Sequence, residues 1–304
     1  MPNLSFSTLD VFTDTRFAGN PLAVVRNADG LSDAQMQTIA REFNLAETVF
    51  VQTSQQPAHT AKVRIFTPAL ELPFAGHPTV GTAALLAEMR TPETNGERDA
   101  LIVLELGIGT VRVGVRQRPG GAAFAEFDLP KLPERGAELP PSDRLAAALS
   151  LAPHEIGFEN HRPTVFSAGV PFAFVPVGSM AAVRRAAVRG DVYAAVFREP
   201  LPGGVYVYSR QALSTVSAFH ARMFWPSAGV PEDPATGSAA AAFAGVVHQF
   251  DRPTDGLHKK IIEQGFEMGR ASYIHLSLQI EAGALDMARI GGYAVRVSDG
   301  EIRL

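Results

Sequence analysis

The sequence contains no cysteine. That absence removes disulfides, thiolate metal ligands and every thiol nucleophile or thiol base, and leaves the chemistry to oxygen and nitrogen groups. It also fits a reducing compartment. The first residues, Met1-Pro2-Asn3-Leu4-Ser5-Phe6, carry no basic stretch followed by an apolar one, so a cytoplasmic location is expected. Charge is sparse too: charged residues make up 19% of the chain, the net charge is −4, and no Lys/Arg block exceeds two residues. A basic nucleic-acid surface is not expected, and nothing asks for a membrane surface. The one long charge-free run, residues 163–183, is broken by three prolines and two glycines and reads as two buried strands and a turn.

Cofactor signatures are missing as well. The eight histidines form no i,i+4 pair and no acid cluster of zinc type. There is no P-loop and no Gly-x-Ser-x-Gly elbow, and Gly107-Ile108-Gly109 lacks the third glycine of a dinucleotide fold. Neither a metal nor an organic cofactor is therefore expected.

What is present is a chain of 304 residues with 46% hydrophobic content, enough for about two domains with cores of their own. Its halves echo one another. Ala18-Gly19-Asn20-Pro21-Leu22-Ala23 returns as Ala168-Gly169-Val170-Pro171-Phe172-Ala173, and Arg64-Ile65-Phe66-Thr67-Pro68 returns as Arg222-Met223-Phe224-Trp225-Pro226. His77-Pro78-Thr79-Val80-Gly81-Thr82 is matched by Asp233-Pro234-Ala235-Thr236-Gly237-Ser238. A last echo pairs Gly107-Ile108-Gly109-Thr110-Val111-Arg112 with Gly291-Gly292-Tyr293-Ala294-Val295-Arg296. The Pro-rich stretch beginning Pro130-Lys131-Leu132-Pro133 is the natural linker. It divides the chain into a first half, residues 1–130, and a second, residues 131–304, whose last strand is able to return to the first half.

Short β-branched segments at 61–66, 101–106, 204–208 and 274–280 read as strands, with a helix over 32–43 opened by a Ser N-cap. Closely spaced strands with few helices predict antiparallel sheets and an α+β class. In each half a small-residue helix follows the His77-Pro78 or Asp233-Pro234 pair. The prolines suit the first helical position, and His77 and Asp233 the N-cap. Helices this small and apolar all round are expected to be buried, each with an antiparallel sheet wrapped around it. Their N-termini would offer free N–H groups to a carboxylate, or to the enolate-like charge formed on proton removal. Two pseudo-symmetric halves are expected to aim both ends at one cleft.

Five blocks then carry a resemblance. They are Asp10-Val11-Phe12-Thr13, Phe17-Ala18-Gly19-Asn20-Pro21, Asn44-Leu45-Ala46-Glu47-Thr48-Val49-Phe50-Val51, Phe74-Ala75-Gly76-His77-Pro78-Thr79 and Glu232-Asp233-Pro234-Ala235-Thr236-Gly237-Ser238-Ala239. In this order they resemble the phenazine-biosynthesis PhzF-like family. The resemblance implies a diaminopimelate-epimerase-like fold, commonly homodimeric, and cofactor-free isomerisation of a small carboxylate-bearing metabolite such as dihydro-hydroxyanthranilate. It assigns the proton shuttle to Glu47, supporting roles to His77, Asp233 and Ser238, and backbone N–H groups to Gly76 and Gly237.

On sequence alone Glu47 reads as a solvated turn acid, His77 as a cap and Asp233 as a cap. In an apolar cleft, by contrast, a carboxylate is suited to act as base and then acid. Ala46 stands where the family often has Ser. The epimerase relatives work with two cysteines, a chemistry this chain cannot perform. Two other readings remain open at this point: a non-catalytic small-molecule binding protein on the same scaffold, and an epimerase-like enzyme acting on another acid.

Overall fold

The computed structural model describes residues 4–90 and 96–304. The chain forms two compact units. One is the chain up to Asp128 together with Gly291–Leu304; the other is Leu129–Ile290. Against the expected halves of 1–130 and 131–304, the second unit ends at Ile290.

The first unit opens with β1 (Leu4–Val11) and β2 (Asn20–Val25), an antiparallel pair. Helix α1 (Asp33–Phe43) then leads to β3 (Glu47–Gln52), which runs parallel to β2 with Leu22 opposite Glu47. Parallel neighbours need a crossover, and α1 supplies it. Ser32 caps this helix: its Oγ accepts the Gln35 N–H at 3.3 Å while Gln35 Oε1 accepts the Ser32 N–H at 3.0 Å. Met36, Ile39 and Ala40, spaced for one face, join a core with Phe50 and Phe66. Next come β4 (Ala61–Phe66), β5 (Glu71–Leu72), α2 (Gly76–Arg90), β6 (Arg98–Leu106), β7 (Gly109–Gln117) and β8 (Ala123–Asp128). Strands β3, β4 and β5 pair antiparallel, α2 carries the chain over to β6 parallel to β4, and β6, β7 and β8 form an antiparallel meander.

The second unit repeats this plan. Its elements are β9 (Glu134–Arg135), α3 (Ser142–Ala148), β10 (Thr164–Ser167), β11 (Pro171–Pro176), α4 (Met180–Arg185), α5 (Gly190–Val196), β12 (Val205–Ser209), β13 (Phe219–Trp225), β14 (Val230–Asp233), α6 (Gly237–Asp251), β15 (Gly256–Gln264), β16 (Ser272–Glu281) and the start of β17 (Ala284–Ile302). Strands β10 and β11 form the hairpin, β12 lies parallel to β11, and β13 and β14 follow antiparallel. Helix α6 then crosses to β15, parallel to β13, and β16 returns antiparallel.

Two expectations need correction. The sheets are mixed, because each of the four parallel pairs brackets a helix-containing crossover that the close spacing of the strands concealed. The last echo, at Gly291, does not belong to the repeat: those residues lie in β17 beyond Ile290, where the chain pairs with β1 inside the first unit.

Helices α2 and α6 are the buried centres of their units. Eleven of fifteen residues in each are buried, mostly Gly, Ala, Thr and Val. Small side chains are obligatory here. A Cβ on Gly81 would sit 2.7 Å from Leu22 Cδ2 and Val11 Cγ2, and one on Gly245 would sit 2.4 Å from the Phe166 ring. Gly245→Ala improves helix propensity by ~1 kcal/mol. Overpacking against a buried aromatic nevertheless outweighs it, with an expected net destabilisation of ~1–3 kcal/mol. Urea denaturation reads this as a lower midpoint; an unchanged or higher midpoint would mean that the strands are not wrapped tightly around α6.

Equivalent glutamates tie each sheet to the loop before its middle strand. Glu105, opposite Lys62, accepts from Ser54 Oγ at 2.7 Å, from His59 at 2.8 Å, and from the Gln55 and Gln56 amides at 3.2 Å. These bonds, Ser54's foremost, hold its carboxyl down to about 2. Glu263, opposite His220, accepts the Leu213 and Ser214 amides at 2.8 and 2.7 Å. Among the described residues no helix is long and apolar enough to cross a membrane.

Candidate active site

Glu47 owes its place to the end of α1. Asn44 takes the left-handed conformation (φ 50°) and gives its N–H to Ala40 O at 3.1 Å, which stops the helix. Three residues later the chain enters β3, and Glu47 is the first residue of that strand. The next residues, Thr48, Val49 and Phe50, are fully buried, so Glu47 stands at the rim of the core with its side chain 17% exposed.

His77 reaches it from α2. Helix α2 begins at Gly76, so His77 is its second residue and Pro78 its third. The expected arrangement, with His77 as N-cap and Pro78 first, is therefore corrected. Proline remains compatible at this depth, since the leading N–H groups of a helix have no intrahelical partner. The first such bond runs from Thr79 N to Ala75 O at 3.3 Å, seconded by Thr79 Oγ1 to the same oxygen at 2.7 Å.

His77 Nε2 lies 3.5 Å from Glu47 Oε2. Burial pushes the imidazole down to about 3, so at neutral pH the ring is uncharged and the contact joins a neutral imidazole to a carboxyl group. Gly76 is buried directly before it, at the first turn where free N–H groups are available.

The second unit assembles Asp233, Gly237 and Ser238 around the start of α6. Here too the caps differ from expectation. Helix α6 begins at Gly237 and Thr236 is its N-cap residue; Asp233 ends β14 and Pro234 precedes the helix. The buried Asp233 carboxylate accepts the Thr236 hydroxyl at 2.6 Å. That hydroxyl makes no cap bond to the helix. The first intrahelical bond runs from Ala240 N to Thr236 O at 3.0 Å, so the N–H groups of Gly237, Ser238 and Ala239 have no intrahelical partner. Within this stretch of buried residues Ser238 alone is half-exposed. An uncapped helix start with a surface-reaching hydroxyl is chemically suited to an anion.

Residues 9–300 match the model of the family described as phenazine biosynthesis-like protein. The chain belongs to that family. An uncharacterized isomerase of Mesorhizobium japonicum is 50% identical, the alignment covering 99% of each chain. The trans-2,3-dihydro-3-hydroxyanthranilate isomerase of Pseudomonas chlororaphis is 33% identical over 97% of this chain and 98% of its own. Among solved structures, a PhzF-family phenazine biosynthesis protein of Bacillus anthracis superposes with a TM-score of 0.89 at 25% identity, each chain covered in full. A hydroxyproline epimerase of Agrobacterium vitis shares the fold alone, with a TM-score of 0.61 at 13% identity over 99% of this chain and 91% of its own. The chain is thus an isomerase of the PhzF-like family, with the α+β, epimerase-like fold.

Within this family member, sequence reading overlooked two residues beside Asp233. Thr236 lies in the motif block that starts at Glu232, but the Asp233-Pro234 pair beside it imitates a cap more strongly than Thr236 does. Gln264 had no local signal at all, since only the parallel register of β13 and β15 brings it to the turn. Among the described residues no group of three His, Asp or Glu side chains is arranged to hold a metal ion.

Proposed function

We propose that this chain is a cofactor-independent isomerase that moves a proton within a small carboxylate-bearing metabolite, with Glu47 carrying the proton. The observation that supports it most is Glu47 Oε2 poised 3.5 Å from the buried, neutral His77 ring. Glu47 as carboxylate takes a proton from a C–H made acidic by an adjacent π-system, the freed electron pair shifts along that system, and the resulting acid returns the proton to another carbon. Substrate and product have the same composition, so no oxidant, reductant or nucleotide enters the balance.

Neutral His77 adds no charge beside Glu47. Its role is to orient the carboxyl and to relay a proton through Nε2. Gly76 and Gly237 supply backbone N–H groups, Ser238 a hydroxyl, and Asp233 an orienting carboxylate. This assignment rests on the uncapped start of α6 and on the resemblance of the motifs.

Because the P. chlororaphis relative is named for trans-2,3-dihydro-3-hydroxyanthranilate, that compound is the first substrate to try. Purified, exhaustively chelated protein without added nucleotide should isomerise it, and in D2O the solvent isotope exchange at the accepting carbon can be followed by NMR. Turnover that vanishes on chelation and returns with one metal would overturn the cofactor-free mechanism. A chain that leaves the compound unchanged would overturn the proposed reaction.

A further inference from the structure

The turn Asp233-Pro234-Ala235-Thr236 is held by one side chain from elsewhere in the second unit. Gln264, the last residue of β15, is fully buried and uses its whole hydrogen-bonding capacity there. Its Oε1 accepts the Thr236 N–H at 3.2 Å and the Tyr206 hydroxyl at 3.2 Å. Its Nε2 donates to the Asp233 carbonyl at 2.8 Å and to Thr236 Oγ1 at 3.0 Å. A backbone N–H only donates and a carbonyl only accepts, so the network fixes which way the amide points. From Thr236 Oγ1 the chain of bonds continues to Asp233 Oδ2 at 2.6 Å.

The neighbouring residue fits the same purpose. A Cβ on Gly265 would lie 2.5 Å from both Pro234 O and Arg270 O, so the end of β15 presses directly on the turn. In the first unit the register equivalent of Glu263 is Glu105, and the next residue, Leu106, is apolar where the second unit has Gln264. Gly107 there approaches Pro73 as Gly265 approaches Pro234. Both units share the close approach, and the amide belongs to the second. An apolar side chain fills such a position without desolvating an amide, so the glutamine is explained by what it bonds.

We infer that Gln264 is a positioning residue of the candidate site. It sets the Asp233 carboxylate through Thr236 and keeps the Thr236 hydroxyl turned away from α6. Threonine at an N-cap otherwise accepts the N–H of the second or third helical residue, which here would cover the groups left free for a substrate anion. This inference rests on the functional reading given above.

The test compares wild type, Gln264→Glu, Thr236→Val and Glu47→Gln with trans-2,3-dihydro-3-hydroxyanthranilate as substrate, recording kcat, KM and melting temperature across pH. Gln264→Glu keeps the shape and both acceptor contacts, but its ionised form cannot donate to the Asp233 carbonyl. Misplacement on the scale of an ångström costs up to about 10²-fold, so a loss of about 10–10²-fold in kcat is expected at neutral pH. The ratio of variant to wild-type kcat should rise on acidification, as the new carboxyl gains a proton and donates again. Thr236→Val should show a similar loss with no recovery at low pH. A glutamine that only stabilised the fold would lower the melting temperature and leave kcat of the folded protein unchanged. Wild-type turnover abolished by Glu47→Gln but undiminished in Gln264→Glu, or a ratio flat with pH, would overturn this inference alone. Absence of wild-type turnover, or full activity of Glu47→Gln, would overturn the reading of the site and this inference with it.

Discussion

Glu47→Gln is expected to lower kcat by about 10²–10⁴-fold, the usual contribution of a general acid–base group, with substrate affinity and melting temperature near wild type. Glutamine keeps the shape and hydrogen bonds of the side chain but cannot take a proton from carbon. Affinity should change little because binding is assigned to the helix starts and to Ser238. Stability should hold because the side chain sits at the rim of the core and retains 17% exposure. Glu47→Asp should fall between the two, with the right chemistry set back by one methylene. Steady-state kinetics, equilibrium ligand binding and thermal melts on the three proteins separate these terms. A Gln variant with wild-type kcat would remove Glu47 from the mechanism, whereas a variant that fails to fold would make it a structural residue.

The parts of the fold legible in the sequence are those governed by local rules. Helix α1 was readable from the Ser32 cap, and the structure buries its face at Met36, Ile39 and Ala40. The two central helices were readable because a run of Gly, Ala, Ser and Thr leaves no polar face to expose, and both are buried. Strand-to-strand pairing is a different matter. The echoed segments pointed to a repeated plan, but nothing in them says that β4 runs parallel to β6, or β13 to β15, across an intervening helix. The return of β17 to β1 has the same character: pairs such as Leu4 with Ile302 are separated by almost the whole chain.

The site divides along the same line. Glu47 and His77 were named from motif blocks, and α2 brings His77 Nε2 to 3.5 Å from Glu47 Oε2. The caps were misplaced because His-Pro and Asp-Pro imitate an N-cap followed by a first-turn proline. In the structure α2 starts before its proline and α6 starts after it, so the two similar sequences meet their helices at different points. Around Asp233 the support comes from β15, where Gln264 donates to the Asp233 carbonyl, and from β12, where Tyr206 donates to Gln264; neither position carries a local signature.

His77 also makes a prediction about acid stability whose sign follows from its burial. Unfolded, the imidazole takes up a proton near its ordinary 6.5; folded, burial pushes it down to about 3. Through that window the unfolded chain binds more protons than the folded one, so stability falls as pH falls. The contribution is complete above 6.5 and is lost at ~1.4 kcal/mol per pH unit on the way to 3. Glu105, held at about 2, begins to act only below the ordinary carboxylate value of 4.5, where its own stabilisation is lost in the same direction. His220, raised because its bonds to Glu263 and Glu267 outweigh the cost of burial, works with the opposite sign. His275, lowered by burial and by Lys259, adds to the slope with the same sign as His77. The difference between wild type and His77→Gln isolates the one residue, since the amide fills the space and does not titrate. Urea unfolding at a series of pH values from 7.5 to 4.5 should therefore give a shallower dependence for the variant, with the two curves converging as the pH falls. Parallel curves would mean that His77 takes up its proton in the folded protein at the same pH as in the unfolded chain, and below 6.5 the contact with Glu47 would then be an ion pair rather than the neutral relay proposed for it.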